Sequence, residues 1–198
     1  MTIPSPDQGR RAVVAALASL PLGRSAAEPD AQVVAGQSSA RMLVAYFSRS
    51  GNTRVIAGVI HRGMQSDLFE IQPATDYPAD YLETVAQARE ERDSAIEPVL
   101  RATIADIARY DTVYLGFPIW GETAPPVIRS LLSRHDMSGK TIVPFITHGG
   151  YGIGNSLRVL ASHAPKARIL EAFTMQADQE RKTMESVNAW LATPPTVR

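Results

Sequence analysis

The chain has 198 residues, 44% of them hydrophobic and 20% charged, with Lys plus Arg and Asp plus Glu at 20 each. That is enough chain for one sizeable core, while the balanced charge excludes both a global basic field that would hold nucleic acid and an acidic field that would steer a basic protein, and no run is long enough to span a bilayer. Cysteine is absent, which removes disulfides, thiolate catalysis, iron–sulfur clusters and most zinc sites and leaves the chemistry to a bound cofactor.

Residues 1–40 read differently from the rest. Arg10-Arg11 precede an apolar, alanine-rich run from Ala12 to Leu22, and Ser25-Ala26-Ala27 offers small residues before Glu28. The pattern resembles a twin-arginine signal peptide cleaved after Ala27, which implies a periplasmic or otherwise exported protein. Gly9 stands where that signal carries a hydroxyl residue. The other readings are a disordered extension, or a start assigned too early, with Met42 itself beginning a cytoplasmic protein. The segment holds three charges of each sign, so the domain expected over 41–198 keeps 17 of each and is still neutral.

Met42 to Phe47 is a short β-rich apolar run, and Val55, Ile56, Val59, Ile60 and Met64 recur at helical spacing. A buried strand therefore feeds a helix through Ser48–Thr53. A helix N-terminus carries unpaired N–H groups and the positive end of the macrodipole, and Ser48, Ser50, Asn52 and Thr53 add side-chain donors, with Gly51 allowing close backbone approach. This is a phosphate cradle without a lysine. Neither G-x-x-x-x-G-K-[ST] nor G-x-G-x-x-G follows the strand, so a nucleoside triphosphate and a dinucleotide of the usual kind are not expected. The motif S-x-S-G-N-T directly after the first strand of an α/β pattern closely resembles the phosphate loop of the flavodoxin family, which implies that it holds the 5′-phosphate of FMN. Arg49 reads as a solvated side chain turned away from the cradle, or as a direct ion pair with the phosphate.

Leu68–Ile71 gives a short second strand, followed by TDYPADY, a charged helix over Tyr81–Asp93 and EPVLRATIADIARYD. Similar YPxDY segments occur in a small-flavodoxin subgroup. Tyr77 and Tyr81 either border the substrate mouth or pack the helix onto the sheet, and the charges read as a solvated face.

Asp111 to Gly121, DTVYLGFPIWG, is a buried strand ending in a tight loop. In an open parallel sheet, ligands sit at the carboxyl edge where strand order reverses, so Phe117–Gly121 should face Ser48–Thr53. The family resemblance implies that Pro118, Ile119, Trp120 and Gly121 line one side of the flavin ring, with Trp120 packed on it. Gly121 reads either as a peptide that flips toward the flavin N5 or as a turn glycine before the helix that Thr123 and Pro125-Pro126 announce.

Thr141 to Gly154, TIVPFITHGGYGIG, is a strand with a glycine-dense loop, matching the family's second flavin-facing loop. The resemblance implies that Thr147, His148, Gly149, Gly150, Tyr151 and Gly152 line the other side of the ring. Gly150-x-Gly152 does not complete a nucleotide fingerprint, because Asn155 stands where the third glycine would be. His148 reads as a surface or packing residue, or as a donor to flavin or quinone. The four histidines, His61, His135, His148 and His163, form no i,i+4 pair, so no metal is expected, and no G-x-S-x-G elbow supplies a serine nucleophile.

Helices over about 125–134, 153–164 and 179–191, the last burying Met184, Val187 and Leu191, and a fifth strand over Ala167–Met175 complete five β-α repeats. Alternation implies a doubly wound α/β sandwich with a parallel sheet covered on both faces, and the resemblance implies strand order 2-1-3-4-5. Three functions fit. One is an FMN-dependent NAD(P)H:quinone-type reductase acting on a small quinone-like substrate, and another is a one-electron carrier serving a redox partner protein. The third is a flavin-free binding module. The neutral charge departs from the acidic character of electron-carrying flavodoxins, and the oligomeric state is left open.

Overall fold

The computed structural model describes residues 41–176 and 180–193; residues 1–40, on which the expectation of an export signal falls, lie outside them. The order is β1 (Met42–Tyr46), α1 (Asn52–Met64), β2 (Asp67–Glu70), α2 (Tyr81–Asp93), β3 (Thr112–Pro118), α3 (Pro126–Arg134), β4 (Thr141–His148), α4 (Ser156–His163), β5 (Arg168–Ile169), β6 (Phe173–Gln176) and α5 (Glu180–Leu191). All strand pairs are parallel, in the order β2-β1-β3-β4-β5, as expected, with β6 also beside β4. The expected fifth strand is thus two short pieces. Ile142 pairs with Ile169 but Phe145 with Phe173, so the outer strand gains one residue between them, a bulge of the kind that edges tolerate.

Period-2 alternation divides the core. Leu43, Ala45, Val113, Leu115 and Ile142 face α3 and α4 on one side, while Val44, Tyr46, Tyr114 and Val143 meet Ile56, Ile60 and Val187 of α1 and α5 on the other. Val55 is 46% exposed, against the expectation that it belongs to the buried face of α1. That face is centred on Thr53, Ile56, Ala57 and Ile60, and Val55 lies about 100° away from Ile56 around the helix. In α5, Val187 is buried as expected and Leu191 partly so; the side chain of Met184 lies outside the described residues.

The β2–β3 connection departs from a simple crossover helix. Ala74 N–H donates to Val99 O at 2.7 Å, Arg101 N–H donates to Gln72 O at 2.8 Å, and Pro73 and Leu100 form an antiparallel bridge. Arg101 reinforces this base through Asp76 at 2.8 Å and Gln72 at 3.1 Å. Residues 75–98, with α2 inside them, are therefore an excursion closed at its foot, and the chain still has to reach β3 through the 3-10 turn Ile107–Arg109.

Candidate functional site

The carboxyl ends of β1, β3 and β4 stand side by side, because Tyr46 pairs with Gly116 and Pro118 with Thr147. Two hydrogen bonds extend this alignment into the loops: Phe47 N–H donates to Gly116 O at 2.9 Å and Ile119 N–H to Thr147 O at 2.8 Å. The three loops singled out from the sequence thus converge.

In the first loop, Ser48 Oγ accepts from the N–H groups of Gly51 at 3.2 Å and Arg54 at 3.3 Å, which folds Ser48–Gly51 over the start of α1. Gly51 is the N-cap with φ +95° and no side-chain cap. The N–H groups of Asn52 and Thr53 have no intrahelical acceptor, as at any helix start, and no acidic residue occupies the first turn. Thr53 is buried, and its Oγ1 lies 2.9 Å from Thr147 Oγ1, tying this loop to the third. Two arginines flank the cradle and both have other partners: Arg49 donates to Ala79 O at 2.7 Å, and Arg54 pairs with Glu70 at 2.5 Å. What remains is a set of neutral N–H and O–H donors at the positive end of a helix, which fits a phosphate-sized anion.

In the second loop, Trp120 is held edge-on against Phe47 at 5.2 Å and Tyr77 at 4.8 Å between ring centroids. The main-chain N–H of Trp120 donates to Thr123 O at 3.0 Å, closing a turn in which Gly121 has φ +60° and Glu122 φ +63°. This turn is locked to the third loop, since Asn155 N–H donates to Glu122 O at 3.0 Å and a Cβ on Gly154 would collide with that carbonyl.

In the third loop, Thr147 is buried beside Thr53, and His148 Nδ1 accepts from Gly150 N–H at 3.1 Å. That bond fixes a role for His148 in shaping the turn. Gly149 and Gly152 stand clear of neighbouring atoms, and Tyr151 is 90% exposed.

A cleft of about 700 Å³ opens at this edge, well within the range of small-molecule pockets. Ser50 and Pro118–Gly121 line it, and none of Thr147–Gly152 does; the facing wall is α2, through Tyr81, Thr84, Val85, Ala88, Arg89 and Arg92. The expectation for α2 is therefore corrected in part. Tyr77 packs, as one reading had it, but Tyr81 borders the cleft, and the charged residues are not simply a solvated face: Glu91 is buried, accepting from Tyr77 Oη at 2.7 Å and Gln87 Nε2 at 2.8 Å. Burial, and then the bond to Glu91, push the Tyr77 hydroxyl well above its ordinary range. The signal for α2 lay in its composition, because a helix with no apolar stripe still has Thr84 and Ala88 one turn apart, a small-residue face that other groups can approach.

Fold and site define a doubly wound α/β protein with a hydroxyl-rich loop and a helix N-terminus at its topological switch point. A family model described as Flavodoxin matches residues 41–193, and the chain belongs to the flavodoxin family. A protein described as a flavoprotein from Bacteroides uniformis is 32% identical, with a TM-score of 0.69, over 78% of this chain and 99% of that one. Another, from Bacteroides eggerthii, is 33% identical with a TM-score of 0.66, over 77% and 96%. A Lactobacillus acidophilus flavoprotein solved in complex with FMN shares the fold at 21% identity and a TM-score of 0.62, over 74% and 99%. No curated protein matches the chain.

Proposed function

We propose that this protein binds FMN and acts as an oxidoreductase on a small planar acceptor of the quinone kind. The observation that carries the reading is that Ser50, in the hydroxyl-rich loop at the start of α1, also lines a cleft of small-molecule size. Ser48, Ser50, Asn52, Thr53 and the free N–H groups of the first turn of α1 would hold the phosphate, with Gly51 giving it room. Pro118–Gly121 would line the ring inside the cleft with α2 as the facing wall that limits access of water, and Thr147–Gly152, which do not line that cleft, would border the ring only at the edge where Thr147 meets Thr53. FMN, when bound, supplies hydride and electron chemistry that no side chain of a cysteine-free chain provides.

A carrier that hands single electrons to a protein needs an open ring edge and complementary surface charge. The neutral chain and the wall made by α2 favour a small-molecule reaction instead. The test is to photoreduce the FMN-loaded protein without oxygen and mix it with a naphthoquinone. Reoxidation that saturates with quinone concentration supports the proposal; a rate that rises linearly and matches free FMN contradicts it. The proposal includes export of the loaded protein by residues 1–40. A reporter fusion tests this, and export that persists after Arg10→Lys and Arg11→Lys counts against the twin-arginine route.

A further inference from the structure

We propose that the cleft under α2 selects a planar aromatic or quinonoid substrate bearing an acidic group, recognised by Arg89 and Arg92. The inference deepens the FMN reading and rests on it, since that reading puts the reactive ring against Pro118–Gly121.

Arg92 crosses directly onto that loop. A Cβ on Gly121 would come within 2.5 Å of Arg92 Nη1, so the guanidinium lies against the Gly121 backbone, where an anionic group of a substrate stacked on the ring would meet it. Its side chain is 29% exposed, partly withdrawn from screening water. The charged side chains lining the cleft are Arg49, Arg89, Arg92 and Glu122, three cations against one anion in a chain that is neutral overall. Arg49 is engaged with main-chain carbonyls.

Arg89 and Arg92 both lean on one carboxylate, Asp93, at 3.6 and 3.0 Å, and that carboxylate is 55% exposed. Two guanidiniums sharing one solvated acid leave an unbalanced positive charge. Arg129 of α3 stands beside Arg92: its Nε is buried with no hydrogen-bond partner, and burial and then the Arg92 charge push its guanidinium down, opposed by the Glu97 carboxylate. An anion beside Arg92 relieves that repulsion. Val85, Ala88, Ile119 and Trp120 supply the apolar, flat surfaces that a ring system needs. The fork of a guanidinium matches a carboxylate or sulfonate in two parallel hydrogen bonds, a geometry a neutral quinone cannot use.

The test compares 1,4-naphthoquinone-2-sulfonate with uncharged 2-methyl-1,4-naphthoquinone. Binding to the full chain, with and without FMN, is read by quenching of tryptophan fluorescence at low salt. The expected result is a preference of about tenfold for the sulfonate. That preference should fall to about one in Arg89→Gln/Arg92→Gln and be partly retained in Arg92→Lys, which keeps the charge. FMN affinity and the thermal midpoint, measured on each variant, should stay near those of the parent. Equal binding of the two quinones by the parent overturns the proposal, as does a preference that survives in the double variant. Loss of FMN together with the sulfonate also overturns it, because the arginines would then hold the cofactor. Failure of the parent to bind FMN at all refutes the function proposed above, and is distinguished from failure of the cation site by the preference read in the FMN-free protein.

Discussion

Thr53 Oγ1 and Thr147 Oγ1 lie 2.9 Å apart across 94 residues of sequence, joining the first turn of α1 to the end of β4. The contact makes the cradle a property of two loops. Each hydroxyl can donate only one hydrogen bond, so a donor turned toward an anion must be matched by the other hydroxyl turned toward it.

Thr53→Ala should therefore weaken FMN binding by more than the loss of a neutral contact. A charge-assisted hydrogen bond contributes about 1.5–3 kcal/mol, or roughly 10- to 150-fold in affinity. Ser50→Ala should act in the same direction. Thr147→Ala removes the partner alone and should have a smaller effect. Flavin fluorescence titration measures all three; unchanged affinity in both Thr53→Ala and Ser50→Ala contradicts the cradle assignment.

The lock between the second and third loops predicts a stability effect. Gly154 has φ +52°, and an added Cβ would meet the Glu122 carbonyl, a backbone group that cannot swing aside. Gly154→Ala should destabilise by about 2 kcal/mol or more, lowering the midpoint by roughly 4–8 °C. Gly139 is the control, with φ +72° and nothing within 4 Å of an added Cβ. Gly139→Ala should show only the conformational cost of about 1–2 kcal/mol. Equal losses in the two variants, read by thermal unfolding, would remove the loop contact from the account.

Tyr77 gives the protein a dependence on alkaline pH. The folded state holds its phenolic proton more tightly than the unfolded chain does, so the associated stability is complete below the unfolded pKa of about 10 and declines as pH rises beyond it. Tyr77→Phe leaves buried Glu91 with Gln87 as its remaining partner. That should cost about 1–3 kcal/mol near neutral pH and flatten the alkaline decline. Tyr46, Tyr110 and Tyr114, all pushed up chiefly by burial, keep a residual slope. Urea midpoints at pH 8 and above pH 10 test this, and an unchanged slope in the variant contradicts it.

The strand, loop and helix of residues 42–64 were legible because two hydrophobic periods meet across a hydroxyl-rich turn, and the structure places each within a residue or two. Strand order came through family resemblance, because no local pattern encodes which strand lies beside which. The role of α2 was not legible. Its burial rests on partners that sequence does not bring together: Glu91 on Tyr77 fourteen residues earlier, and Arg92 on the Gly121 turn. A charged residue reads as solvated until its partner is located. Val55 illustrates the opposite limit, an apolar residue at a helical position that lies at the margin of the buried face.

The central claim is tested most directly by titrating FMN into the purified full chain, stripped of any bound flavin, and following flavin fluorescence and absorbance together. The account predicts saturable binding of one FMN per chain, with fluorescence quenched as the ring meets Trp120 and affinity reduced in Thr53→Ala. An absorbance spectrum and fluorescence that stay those of free FMN through the titration would contradict it.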